Sequence, residues 1–343
     1  MQHYRYYYRQ MNKAEQSVYD AMYAGFTALA PSIRVLHLSE QTLTDIYFRL
    51  KLDNPAVFYV TSFSYRYALG ADFVELVPEY MFEKTKIRTH QQAIAARVAK
   101  LVRPAKSMTP EEKELYIHDF ICNNVRYDKL QKPYSHEIIG PLTHGIGVCE
   151  GIAKTVKLLC DELGLECLIA ISEADPEHGA KYRHAWNIIT LGKHRYHLDV
   201  TFDNSLQRYG SPRYDYYNLD DKKLFRDHRP LVFPVPACSD GNGFYYLKNR
   251  LSLTKPEMVE NRVKQAIRKR KPTFVFHWRG GYLTRDVLSE LLQTAETTAQ
   301  GLDRHIGASV NMRQSVIQLF FQQEQHNTVE EETADEAEEG LVD

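Results

Sequence analysis

The chain has 343 residues, 43% hydrophobic, 12% aromatic and 25% charged, a balance that excludes global disorder and low-complexity fibre. Its formal charge of −1 hides a split. Residues 329–343 carry eight acidic and no basic side chains, leaving 43 basic against 36 acidic residues elsewhere.

The length suggests two or three domains with real cores. No apolar run of about eighteen residues predicts a membrane span, and the start, MQHYRYYYRQMNKAEQ, lacks the apolar segment of a secretory signal. Cys122, Cys149, Cys160, Cys167 and Cys238 are an odd, sparse set without a CxxC pair. They predict neither a disulfide framework nor a zinc knuckle. The expectation is a reduced, cytoplasmic protein with no metal and no cofactor.

In chain order, Glu15 to Leu29 reads as a helix stopped by Pro31, with Tyr6, Tyr7 and Tyr8 before it as packing or surface aromatics. Val57 to Ala68 reads as a strand, Gly70 as its turn and Asp72 to Phe82 as a hairpin partner. Thr89 to Val102 is helical. Thr109-Pro110-Glu111-Glu112 combines an N-cap, a first-turn proline and a capping-box acid, opening a helix to about Val125. A loop with Pro133, Gly140, Pro141, Gly145 and Gly147 leads to Cys149.

Ile152, Val156, Leu159 and Leu163 then recur at helical spacing, with Gly164 as a stop. Cys149 lies on the same stripe at the first turn, where unbonded N–H groups and the positive dipole end favour a thiolate. Gly147 and Gly151 remove side-chain bulk that would otherwise keep a substrate carbonyl from the sulfur. Cys160 and Cys167 read as structural.

His184 to Leu191 and His194 to Thr201 read as strands joined at Gly192-Lys193, a type II′ pattern. In that register His184 opposes Thr201, and Asp199 shares its face two residues away. A carboxylate so placed orients an imidazole and stabilises its protonated form. His178, His194 and His197 read as packing or turn residues. Trp186 shares the face of His184 as a candidate substrate-binding or shielding residue. The polar loop Glu173 to Arg183 reads as surface loop, with a lid as the sharper alternative.

Further on, Tyr214 to Leu219 reads as a strand, and Pro234-Val-Pro236 with Asp240-Gly-Asn-Gly243 marks a boundary. Thr254-Lys-Pro-Glu257 reads as a capping box opening a helix to Lys271. Thr273 to Trp278 is a strand, Thr284 to Gln300 a helix, and Ser309 to Phe321 holds a final strand.

The motifs Gly147-Val-Cys-Glu-Gly151, His184-Ala-Trp-Asn187 and His197-Leu-Asp-Val-Thr-Phe-Asp203 resemble the transglutaminase-like superfamily, whose core is related to papain-like thiol enzymes. Tyr127-Asp128 and Tyr217-Asn-Leu-Asp220 resemble its flanking pieces, so the likeness covers roughly Thr109 to His228. Ile152 and Phe202 stand where bacterial relatives often have tyrosine and tryptophan. The resemblance implies an α+β fold with the nucleophile at a helix N-terminus beside an antiparallel sheet. It also implies Cys149 as nucleophile, His184 as general base then acid, and Asp199 as orienter, with a thioester intermediate.

The expected organisation is a mixed region 1–108, a catalytic core 109–233, a C-terminal α/β module 234–328 and a disordered acidic tail 329–343. The expected substrate is a protein or peptide amide. Hydrolysis is slightly favoured over crosslinking, because no DxDxDG-type calcium loop is present. The alternative is a non-catalytic scaffold. The cations Arg262, Lys264, Arg268, Lys269, Arg270 and Lys271 raise nucleic acid as a partner, but cations near a helix C-terminus are ordinarily a solvated face.

Overall fold

In the computed structural model, which describes residues 3–67, 70–174, 183–207, 211–228 and 231–322, the chain forms two units. The first takes residues up to 171, 183–193 and 231–233, and the second 172–174, 194–228 and 234–322. The acidic segment 329–343 and most of the loop between Glu173 and Arg183 lie outside the described residues.

In the first unit, α1 (Lys13–Thr27) is opened by a complete Asn12–Glu15 capping box and buries Val18, Tyr19, Met22 and Phe26. It is followed by β1 (Ile33–Leu36) and α2 (Glu40–Asp53), which Ser39 caps. Neither is predicted by the sequence reading. Strands β2 (Val60–Arg66) and β3 (Phe73–Tyr80) form the expected hairpin, and β3 lies between β1 and β2 in an antiparallel sheet. Helix α3 (Lys84–Val102) starts five residues before the expected Thr89. Its N-cap Glu83 makes no side-chain cap bond, so no start signal is written there.

Helix α4 (Pro110–Asn124) carries the Thr109–Glu112 capping box with both halves formed. Short strands β4 (Arg126–Tyr127) and β5 (Ile146–Gly147) pair in parallel and bracket the loop that precedes α5 (Cys149–Leu163). Gly164 ends α5 at φ +74°, a left-handed cap. Strands β6 (Cys167–Ser172) and β7 (His184–Leu191) follow as neighbours, and β7 packs against α5.

The chain leaves the first unit at Gly192-Lys193, where Gly192 has φ +61°. In the second unit, β8 (His194–Leu198) is shorter than the expected strand to Thr201. Asp199 instead caps α6 (Val200–Leu206), its carboxylate accepting the Thr201 and Phe202 N–H groups, and this local bonding ends the strand. Strand β9 (Tyr217–Leu219) pairs antiparallel with β8, and α7 (Asp221–Leu224) and α8 (Tyr245–Lys248) are single turns.

A second sheet has the order β10 (Ser252–Leu253), β11 (Thr273–Trp278), β13 (Val316–Gln322), β12 (His305–Asn311). Helices α9 (Pro256–Arg268) and α10 (Arg285–Gln300) accompany it, and Leu253, Val259, Val263, Phe276, Leu291, Ile317 and Leu319 build the core. One expectation is corrected here. The helix N-cap is Lys255 without a side-chain bond, so Thr254 falls one residue too early for a capping box. The final strand is β13 as expected, and β12 pairs with it antiparallel across the turn at residues 312–315. Among the described residues, no helix is long and apolar enough to cross a membrane.

Candidate active site

Of the five cysteines, Cys149 alone is not buried. It is the first residue of α5, whose N-cap Val148 offers no side-chain acceptor. The first helical bond runs from Ile152 N–H to Val148 O at 3.0 Å, so the Cys149 N–H lies among those a helix start leaves over. The side chain packs with Tyr7, Leu52, Ala153, Ile169 and Ala185, joined by Tyr6, Ile171 and Phe233.

The loop ahead of Cys149 is organised by Asp128. Its carboxylate accepts the Ser135 hydroxyl and the N–H groups of Leu130 and Lys132. Burial works against the charge, but these bonds outweigh it and hold the carboxyl below its usual range. Ser135 in turn accepts the Val148 N–H at 3.1 Å. A Cβ on Gly151 would overlap the Ser135 carbonyl, and one on Gly147 would lie 2.8 Å from Pro141 Cγ. Close packing around both glycines therefore requires them to lack side chains, a reason independent of any path for substrate. Gly151→Ala is expected to cost about 1–3 kcal/mol through overpacking. Urea unfolding checks this, and an unchanged midpoint would contradict it.

His184 opens β7, half-buried, and its ring stacks on Trp186 at 5.9 Å and 20°. Trp186 is 1% exposed, so most of its surface is spent on packing. Ala185 belongs to the cluster that receives Cys149, which puts the nucleophile candidate against the residue next to His184. Asn187, within the HAWN motif but given no role by the sequence reading, donates to Ala153 O at 3.0 Å and to Leu168 O at 3.5 Å. It pins β7 to both α5 and β6, and so sets His184 along the helix that begins with Cys149.

The next residue, Glu150, enters a buried ionic network. Lys154 Nζ lies 2.7 Å from Glu150 and 2.8 Å from Glu137, and Lys51 Nζ also lies 2.8 Å from Glu137. Burial favours the neutral form of each group. For Glu150 the attraction of Lys154 and His136 wins, and its carboxyl is held far below the usual range. For Lys154 the two carboxylates win and raise it, whereas burial prevails at Lys51 and lowers it. A cavity of about 430 Å³ opens beside this network, lined by Tyr47, Phe48, Phe63 and Tyr65 with Glu40 and Glu150.

Asp199 lies in the second unit. One carboxylate oxygen caps α6 and the other is 3.0 Å from His228 Nε2, while His228 Nδ1 is 2.8 Å from Asp227. His228 is a residue the sequence reading passes over, since only the pair Asp227-His228 hints at it. Burial alone would lower the His228 pKa, but the bonds to Asp199 and Asp227 outweigh it and raise it above 6.5. The stability drawn from the charged ring is full below about 6.5, the unfolded value, and is lost as pH rises through the folded value. His228→Gln should therefore cost more stability near about pH 6 than near about pH 9. Urea unfolding of both proteins at the two pH values measures this, and a cost that grows with pH would contradict it.

Cys149, His184 and Asp199 all fall within residues 95–200, the span matched by the family model for the transglutaminase-like superfamily. That span of the chain is similar to the transglutaminase-like superfamily. No curated protein matches the chain significantly. Among solved structures, a TGase is similar at 12% identity and a TM-score of 0.29, over 50% of each chain. A proposed cysteine protease from Cytophaga hutchinsonii is similar at 15% identity and a TM-score of 0.27, over 41% of this chain and 61% of that one. Menin, whose structure reveals its binding site for the Mixed Lineage Leukemia protein, is similar at 16% identity and a TM-score of 0.26, over 62% and 41%. The chain thus spans between two fifths and three fifths of those proteins. Likenesses at these scores say nothing about the chemistry of residues 95–200.

Proposed function

We propose that the transglutaminase-like domain is a thiol enzyme acting on amide bonds of proteins or peptides, in a reducing compartment such as the cytoplasm. The observation that carries this reading is that the one cysteine not buried is also the first residue of a helix. Cys149 Sγ attacks the amide carbonyl as His184 takes the thiol proton. The Cys149 N–H stabilises the developing oxyanion. His184 returns the proton to the departing amine or ammonia, leaving a thioester. Water or a second amine, deprotonated by His184, attacks the thioester and releases the sulfur.

Asp199 orients the imidazole. Hydrolysis is favoured slightly over crosslinking. A scaffold with an idle core is the second reading, and the cap and His228 bonds of Asp199 favour it, since they give that residue structural work.

Mass spectrometry of peptide and protein mixtures, incubated with wild type and with Cys149→Ala, separates these readings. New termini or deamidated glutamines indicate hydrolysis, and crosslinks with loss of ammonia indicate transamidation. Identical product sets from both proteins would support the scaffold.

A further inference from the structure

Away from Cys149, three donor side chains of different chemistry converge within the second unit. His197 near the end of β8, Asp221 at the start of α7 and Cys238 in the following loop hold one potential ligand atom each within 4.8 Å of the others. His197 Nε2 lies 2.8 Å from Asp221 Oδ1. The Asp221 N–H donates to Cys238 O at 2.8 Å, and the Cys238 N–H approaches both Asp221 carboxylate oxygens at 3.1 and 3.2 Å. Two segments seventeen residues apart are thus clamped to each other by hydrogen bonds of the Asp221 and Cys238 backbones.

We propose that His197, Asp221 and Cys238 form a binding site for a divalent transition-metal ion of the zinc class, separate from the proposed nucleophile.

Thiolate, imidazole and carboxylate together suit zinc-class ions and not magnesium or calcium, which take oxygen donors. His197 and Cys238 are fully buried, while the Asp221 side chain keeps 39% of its surface. The open side therefore lies at the carboxylate, where an ion enters and a water completes four-coordination. Tetrahedral bonds of about 2.0–2.2 Å to nitrogen and oxygen separate those ligands by roughly 3.3 Å, so the 2.8 Å contact opens by about 0.5 Å on loading.

No knuckle spacing announces the site, because its donors are 24 and 17 residues apart.

The test is titration of the metal-stripped full chain with cobalt(II), read by thiolate-to-cobalt charge-transfer absorption, then competition with zinc(II). The expected result is one equivalent bound, with the band kept in Cys149→Ala and lost in Cys238→Ser. Asp221→Asn, which retains an acceptor for the Cys238 N–H, should weaken binding at least tenfold while remaining folded. Absence of a charge-transfer band, a band that survives in Cys238→Ser, or one that disappears in Cys149→Ala would overturn the proposal.

Discussion

Cys149→Ala is expected to abolish amide-directed turnover, with a loss of about 10⁴-fold or more, while leaving the fold intact. In the proposed mechanism the sulfur forms the covalent intermediate, so no neighbouring group replaces it. Alanine is a good residue for a helix and removes only one partly exposed atom from the cluster around Ala153, Ile169 and Ala185. His184→Ala should lose turnover on a similar scale, because a nucleophile and base of the proposed kind act as a unit. Asp199→Asn is less clean, since Asp199 also caps α6 and pairs with His228. His228→Gln controls for this: it disturbs the same pairing without removing the carboxylate. Residual turnover in Cys149→Ala within tenfold of wild type would contradict the nucleophile assignment.

The largest expected stability effect lies at Glu137. One carboxylate oxygen sits between Lys51 and Lys154, each 2.8 Å away, and all three side chains are at most 10% exposed. Glu137→Ala leaves two ammonium groups facing each other without that counter-charge. Lys154 retains Glu150 and the His136 carbonyl, while Lys51 retains only the carbonyls of Val57 and Val60 among its described partners. Removing one partner of a buried pair costs about 3–5 kcal/mol, or a Tm lower by roughly 10 °C. The exposed pair Lys264–Glu260 gives the contrast, because Lys264→Ala should cost about 0.5 kcal/mol or less. Urea and thermal unfolding measure both. A Glu137→Ala cost no larger than that of Lys264→Ala would refute the network's role. Because the network includes Glu150 and Lys154 in the opening turns of α5, Glu137→Ala should also slow turnover through the placement of Cys149.

What was legible in the sequence was local. The Thr109–Glu112 box, the apolar stripe from Ile152 to Leu163 and the Gly164 stop are signals carried by neighbouring residues, and α4 and α5 follow them. Helix α2 escaped because polar residues on its buried face disguise its pattern: Lys51 and Asp53 are both buried. Asp53 is held by the Tyr7 and Tyr8 N–H groups and the Tyr19 hydroxyl, partners more than thirty residues away in sequence. Burial pushes its carboxyl up to about 6 despite those bonds.

The candidate site shows the same division. Cys149 at a helix start and His184 at a strand start were readable from spacing. The cap role of Asp199 competed with the strand reading, since an aspartate can bond the N–H groups just ahead of it and so end a strand. The packing of Gly151 on Ser135, the pin from Asn187 to α5 and the pairing of His228 with Asp199 all depend on long-range contacts. Periodicity carries no trace of them.

The central claim is covalent catalysis by Cys149, and intact-protein mass spectrometry after rapid acid quench tests it most directly. The protein is incubated with a peptide library containing glutamine and backbone amides, then digested to locate any adduct. The expected result is an acyl adduct confined to the peptide carrying Cys149, released by hydroxylamine as a thioester and missing from Cys149→Ala. An adduct on Cys122, Cys160, Cys167 or Cys238 in its place, or turnover with no adduct and no loss in Cys149→Ala, would contradict it.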